Sequence, residues 1–157
     1  MNKLDRYDIR ILSELQRRAN ISNGELAELI SLSPNACARR VKQLESSGLI
    51  KHKIALLDRQ ALGLNLTAFV MIGMDKNTPD RFEGFQRSIL NCNSVIECSH
   101  VAGMDCDYQL KLVLKDIDHY QEFLLTTLSR IEGVVLIRSS FVLRQIKDST
   151  VLPLEHL

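Results

Sequence analysis

Two helix-start signals in quick succession constrain this chain more than anything else in it. Ser22-Asn23-Gly24-Glu25 has the form of a capping box, in which the serine hydroxyl serves the N–H three residues on and the glutamate reaches back. Ser33-Pro34 sets a capping hydroxyl before a proline that needs no donor in the first helical turn. Leu26, Leu29 and Ile30 then form one inward stripe, and Cys37, Val41 and Leu44 another. Gly48 is placed to end the second helix in the left-handed conformation. Two short helices joined by a tight turn follow, preceded by a helix over about 5–18 with Ile9, Leu12 and Leu15 on one stripe.

The outer face of the second capped helix is polar in a particular way. Asn35, Arg39 and Lys42 lie opposite its apolar stripe, with Ala38 and Gln43 on the flanks. Amides, cations and a small residue are what base edges and phosphates require. Arg40 sits at the edge of the buried face, placed to reach a phosphate, and Asn23 and Ser33 at the two helix starts complete the candidate set. The following run, residues 49–58, alternates apolar and polar and reads as a short hairpin. It would present Lys51 and Lys53 to phosphates beside the helix, as a wing does. Residues 1–60 carry 11 Lys and Arg against 7 Asp and Glu, while the remainder carries 9 against 12. A basic head on a slightly acidic body suits a double-stranded DNA partner.

After a connection over 61–65 the pattern changes to β-α-β-β-α-β. Strands are expected over 66–74, 95–102, 108–114 and 134–143. Helices are expected from Thr78-Pro79 to Leu90 and from Asp116 to Ile131, with Ile117, Tyr120, Leu124, Leu128 and Ile131 on one face. The fold class is therefore α+β, a winged helix-turn-helix over 1–60 followed by a ferredoxin-like sandwich over 66–157. The first strand is apolar on both faces. The fourth groups Val135, Ile137 and Phe141 against Val134, Leu136 and Val142. Two helices cover one face only, so the other is expected to pack on a second copy of the chain as a homodimer.

Several blocks together resemble a known family. Leu4-Asp5-Arg6-x-Asp8, Asn23-x-Glu25-Leu26-Ala27, Leu32-Ser33-Pro34, Arg40-Val41-x-x-Leu44-Glu45-x-x-Gly48-Leu49-Ile50 and Ala55-Leu56-Leu57-Asp58 are similar to the Lrp/AsnC, or feast/famine, transcription regulators. The resemblance runs to the end of the chain. It implies assembly of dimers into octamers and an amino-acid effector held at a loop between dimers. Here that loop is Gly103-Met104-Asp105-Cys106-Asp107-Tyr108, one residue longer than the family's usual Gly-x-x-Asp-Tyr form. Asp105 and Asp107 offer acceptors for an α-ammonium group. Val101, Ala102 and Met104 suggest an apolar side chain on the effector, such as leucine, methionine or a branched-chain relative. Ser139 and Ser140 on the fourth strand complete the effector set.

Other functions are less well supported by the residues. Sirohaem decarboxylases look similar in both halves, but His100, His119 and His156 form no cluster. Nothing resembles a nucleophile elbow, a phosphate-binding loop or a metal-binding helix, so no catalytic residue, metal or cofactor is expected. An architectural DNA-binding protein indifferent to ligands is a further alternative. No apolar run reaches the ~18 residues of a membrane span, and the four cysteines form no paired motif. A cytoplasmic regulator with reduced thiols is the expectation.

Overall fold

The computed structural model describes residues 4–103 and 105–157. The chain divides into two compact units, one of residues 1–57 with 147–157 and one of residues 58–146. By its contacts the tail from Lys147 onward groups with the helices and not with the sheet.

The first unit contains α1 (Arg6–Leu15), α2 (Asn23–Ile30) and α3 (Pro34–Ser46). Asp5 is the cap of α1 and not part of its first turn: its carboxylate accepts from the N–H groups of Tyr7 and Asp8. The helix stops at Leu15, short of the expected Arg18, because the Arg17 N–H bonds tightly back to the Glu14 carbonyl. Helix α2 has the reciprocal Ser22–Glu25 box, and Ser33 caps α3 through the Ala36 N–H at 3.3 Å. Ile11, Leu26, Ile30, Cys37, Val41 and Leu44 fill the core, each contributing about 1–3 kcal/mol by leaving water. Leu29 was expected there and is 48% exposed instead. It lies on the outer side of α2 because Ala27 takes the inward position.

Between α2 and α3 the chain turns at Ser31, whose φ of 59° is left-handed, and the Leu32 N–H reaches the Ala27 carbonyl at 2.9 Å. That closing bond ends α2 sharply enough to set α3 across it. The expected hairpin after Gly48 does not form within this chain: residues 51–57 are exposed and without ladder bonds. Alternation marks a strand, but a strand needs a partner, and Asp58 instead starts a turn by accepting from Gln60 and Ala61.

The second unit holds β1 (Leu66–Met74), α4 (Pro79–Leu90), β2 (Val95–His100), β3 (Tyr108–Leu114), α5 (Ile117–Thr126) and β4 (Val134–Phe141). The sheet is antiparallel with strand order β2-β3-β1-β4, the ferredoxin-like arrangement. Ala68, Val70, Ile72, Leu110 and Leu112 face Phe85, Ile89 and Tyr120 of the two helices. Two helix details differ from expectation. The Thr78 hydroxyl makes no capping bond at α4. The helix after Asp116 breaks at Thr127, where the Thr126 hydroxyl bonds back to the Glu122 carbonyl, and a short 3-10 turn over Leu128–Arg130 follows. Ile117 is left largely exposed.

The uncovered face of the sheet is mixed, not uniformly apolar. Phe69 stands between Lys111 and Ser140, and Met71 between Gln109 and Arg138. The expected division of β4 also needs correction. A register shift between Gly73 and Met74 lets Val134 join Ile137 on the helix side and leaves Val135 mostly exposed.

Candidate functional site

The outer side of α3 is as its spacing implied. Asn35, Arg39 and Lys42 are exposed along one line, Ala38 is half-buried beside them, and Cys37, Val41 and Leu44 are buried beneath. Asn23 is exposed at the start of α2, and Ser33 is occupied in capping α3. Lys51 is exposed on the segment that follows α3. Lys53 is held against α3, its ammonium 2.7 Å from the Glu45 carboxylate.

Arg40 does not extend into solvent. Its Nη1 donates to Asp8 Oδ1 and forms an ion pair with Asp5 Oδ2, each at 2.8 Å, and its guanidinium lies 5.5 Å from the Tyr7 ring centre. The Asp8 N–H, with the Tyr7 N–H and this guanidinium, holds the Asp5 carboxyl below the usual carboxylate range. A second arginine works from α1 itself: Arg10 Nη2 donates to the Leu29 carbonyl at 2.7 Å, serving an acceptor that the end of α2 leaves free. Helix α1 is thus tied by guanidinium bonds to both helices that follow it. Sequence reasoning missed Arg10, although a cation one helix away from an expected helix end was the available signal.

The loop in the second unit is anchored at its base. The Val101 N–H bonds to the Asp107 carbonyl at 2.8 Å, and the Asp107 N–H bonds to the Ile72 carbonyl at 2.7 Å. Asp107 Oδ2 accepts from the Met74 N–H, also at 2.7 Å. Gly103 has φ 88°, which only glycine adopts freely. Asp105 is exposed and forms an ion pair of 2.6 Å with Arg138, a β4 residue that sequence reasoning did not single out. Met104 lies outside the described residues.

Other expected members of this set are dispersed. Tyr108 is buried, its ring packed against Phe82, Phe85 and His100, and its hydroxyl accepts from Gln86 at 3.0 Å. Its phenol therefore faces the helix-side core. Burial pushes its pKa up. Ser139 shares a hydrogen bond with Tyr120 on the helix side, whereas Ser140 stands beside Phe69 on the open face. Only Ser140 lies on the face that a partner could cover.

Both units have counterparts among known proteins. Residues 4–51 match the winged helix-turn-helix DNA-binding model. Residues 67–152 match the Lrp/AsnC ligand binding domain. The chain belongs to the Lrp/AsnC family. Within that family it is 40% identical to the leucine-responsive regulatory protein of Escherichia coli over 146 residues, 93% of this chain and 88% of that protein. It is 38% identical to the glutamate uptake regulatory protein of Zymomonas mobilis over 154 residues, 98% of this chain and 93% of that one. A transcriptional regulator from Neisseria meningitidis, solved in complex with L-methionine, has the same fold with a TM-score of 0.94 at 38% identity, over 98% of this chain and 99% of that one. As an Lrp/AsnC member this chain is a DNA-binding transcription regulator. Among the described residues no group of His, Cys, Asp and Glu could hold a metal ion, and no helix is long and apolar enough to cross a membrane.

Proposed function

We propose that this regulator responds to a free amino acid bound at the loop between β2 and β3, and that binding changes how dimers assemble and how the α3 helices are presented to DNA. The observation that carries the reading is the division of labour within the loop. Asp107 is spent on holding the loop to the end of β1, while Asp105 and Arg138 remain exposed as an acid and a base side by side. An α-ammonium and an α-carboxylate need that pair of charges. The L-methionine complex of the Neisseria relative supports a small amino acid, and leucine, methionine or a branched-chain relative is the preferred effector. Phe69 and Met71 on the uncovered sheet face support a homodimer formed there, with octamers as the further assembly. Asn35, Arg39 and Lys42 read the major groove, and Lys51 and Lys53 hold phosphates. A cytoplasmic location follows from a partner of this kind. An effector shifts the assembly only if it binds one arrangement more tightly than another.

A thermal-shift screen of the twenty amino acids tests the reading. A ligand confined to the native state raises the melting temperature, and increasingly so as its concentration exceeds its dissociation constant. One or a few apolar amino acids should do so, and should also change the sedimentation profile. A flat response to all twenty would leave the protein a DNA binder without an amino-acid effector.

A further inference from the structure

We propose that Arg40 is a positioning residue that fixes the angle of α3 and makes no DNA contact, in contrast to its neighbours Arg39 and Lys42. The carboxylate oxygens at the start of α1 are fully allotted. Asp5 Oδ1 accepts from the Tyr7 and Asp8 N–H groups at 2.8 and 3.0 Å, and Asp8 Oδ2 accepts from the Asp5 N–H at 3.1 Å. The two remaining oxygens, Asp5 Oδ2 and Asp8 Oδ1, both take Arg40 Nη1. That nitrogen donates a hydrogen bond to Asp8 and forms an ion pair with Asp5. Arg40 is the bolt that closes a box already fixed to the helix backbone.

Charge points the same way. Two carboxylates already offset the Arg40 charge, so a phosphate gains little by approaching it. The Arg40 side chain is only 26% exposed, whereas Arg39, Lys42 and Lys51 are exposed. The apolar contacts of Cys37, Val41 and Leu44 are non-directional and let a helix roll, but a pair of charge-assisted bonds does not. Because Arg10 ties the same helix to the end of α2, α1 fixes both α2 and α3. Loss of the Arg40 bonds would turn α3 relative to α2 without removing a charge from the DNA-facing line.

The inference rests on the DNA-binding reading of α3 and is tested apart from it. The full chain is titrated with a fluorescein-labelled duplex of mixed sequence at a series of KCl concentrations, and affinity is followed by anisotropy. Lys51→Ala serves as the phosphate-contact reference, and its slope of log affinity against log salt should fall by about one. Arg40→Gln should weaken binding about fivefold with the slope unchanged. Asp8→Asn should also weaken binding, although it removes a negative charge beside the interface. A slope that falls by about one in Arg40→Gln would overturn the proposal. So would tighter binding by Asp8→Asn, since that is what a guanidinium released to a phosphate produces. Circular dichroism checks that each variant is folded. If Arg40→Gln is not, the sign of the Asp8→Asn effect decides alone. Lys51→Ala in the same assay also tests whether this unit binds DNA at all, and its failure to weaken binding would count against that reading instead.

Discussion

The Gln16 side chain pairs with the backbone of Leu152 as a neighbouring strand would: Nε2 donates to the Leu152 carbonyl at 3.0 Å, and Oε1 accepts from its N–H at 2.9 Å. One amide thereby satisfies both backbone groups of a tail residue that follows the sheet in sequence and belongs with the helices in space. Gln16→Ala should free that segment. The Leu152 amide should exchange hydrogen much faster by mass spectrometry, while global stability drops by about 1 kcal/mol. Unchanged exchange at Leu152 would mean that other contacts hold the tail.

Arg39 and Lys51 should separate two kinds of DNA contact. Arg39→Ala should cost about 1–3 kcal/mol on an operator and much less on mixed-sequence DNA, as expected of a side chain at a base edge. Lys51→Ala should weaken both about equally. Equal losses for Arg39→Ala on all sequences would remove it from base readout.

Backbone geometry gives a matched pair of stability predictions. Ser31 holds a left-handed φ of 59°, so Ser31→Gly should relieve strain and raise stability by about 1 kcal/mol. Gly133 has φ 87°, and a side chain there would stand 3.0 Å from Asp75 Oδ1 and 3.1 Å from Met74 Cε. Gly133→Ala should therefore lower stability by about 2 kcal/mol or more. Chemical denaturation of the two variants measures both, and a destabilised Ser31→Gly would show that the hydroxyl matters more than the backbone.

Acid should weaken both units. Asp5 is held low first by the Asp8 N–H, Glu25 first by the Ser22 hydroxyl, and Asp116 first by the His119 N–H. A carboxyl whose folded pKa lies below its unfolded one stabilises fully above the unfolded value. That contribution is lost as pH falls through the folded value, which lies below the ordinary carboxylate range. Melting temperature measured from pH 6 downward should be level at first and then fall, and the fall should be shallower in Glu25→Gln. A melting temperature that ignores pH in the acid range would contradict the assignment.

The two loop aspartates should give different phenotypes. Asp105 and Arg138 are each more than half exposed, so Asp105→Ala should change stability by less than about 1 kcal/mol while abolishing any amino-acid response. Asp107→Ala removes the acceptor of the Met74 N–H and should lower the melting point even without ligand. An intact ligand response in Asp105→Ala would place the site elsewhere.

Much of this was legible because local chemistry fixes it. Ser22, Ser33 and Asp116 cap the helices they were expected to cap, and β1 and β3 have their expected ends. What escaped was non-local. Leu29 fits the helical period as well as Ala27 does, and only packing decides which of them is inside. Arg40 looked free because its partners lie on another helix. Ser139 and Ser140 are adjacent in sequence, yet the strand sends them to opposite faces. The run over 51–57 carries a strand's pattern without a strand's partner in the same chain.

The shift between Gly73 and Met74 has an evolutionary corollary. Gly73 faces Leu136 and Met74 faces Val134, so Val135 is the one residue of β4 that the ladder does not count. The chain could lose it and keep every other side chain of β4 on its present face. A deletion from Arg138 to Ser140 would instead turn part of the strand over and drive Ile137, Ser139 or Phe141 to the wrong side. Length variation in this sheet therefore has one inexpensive address, and it is Val135.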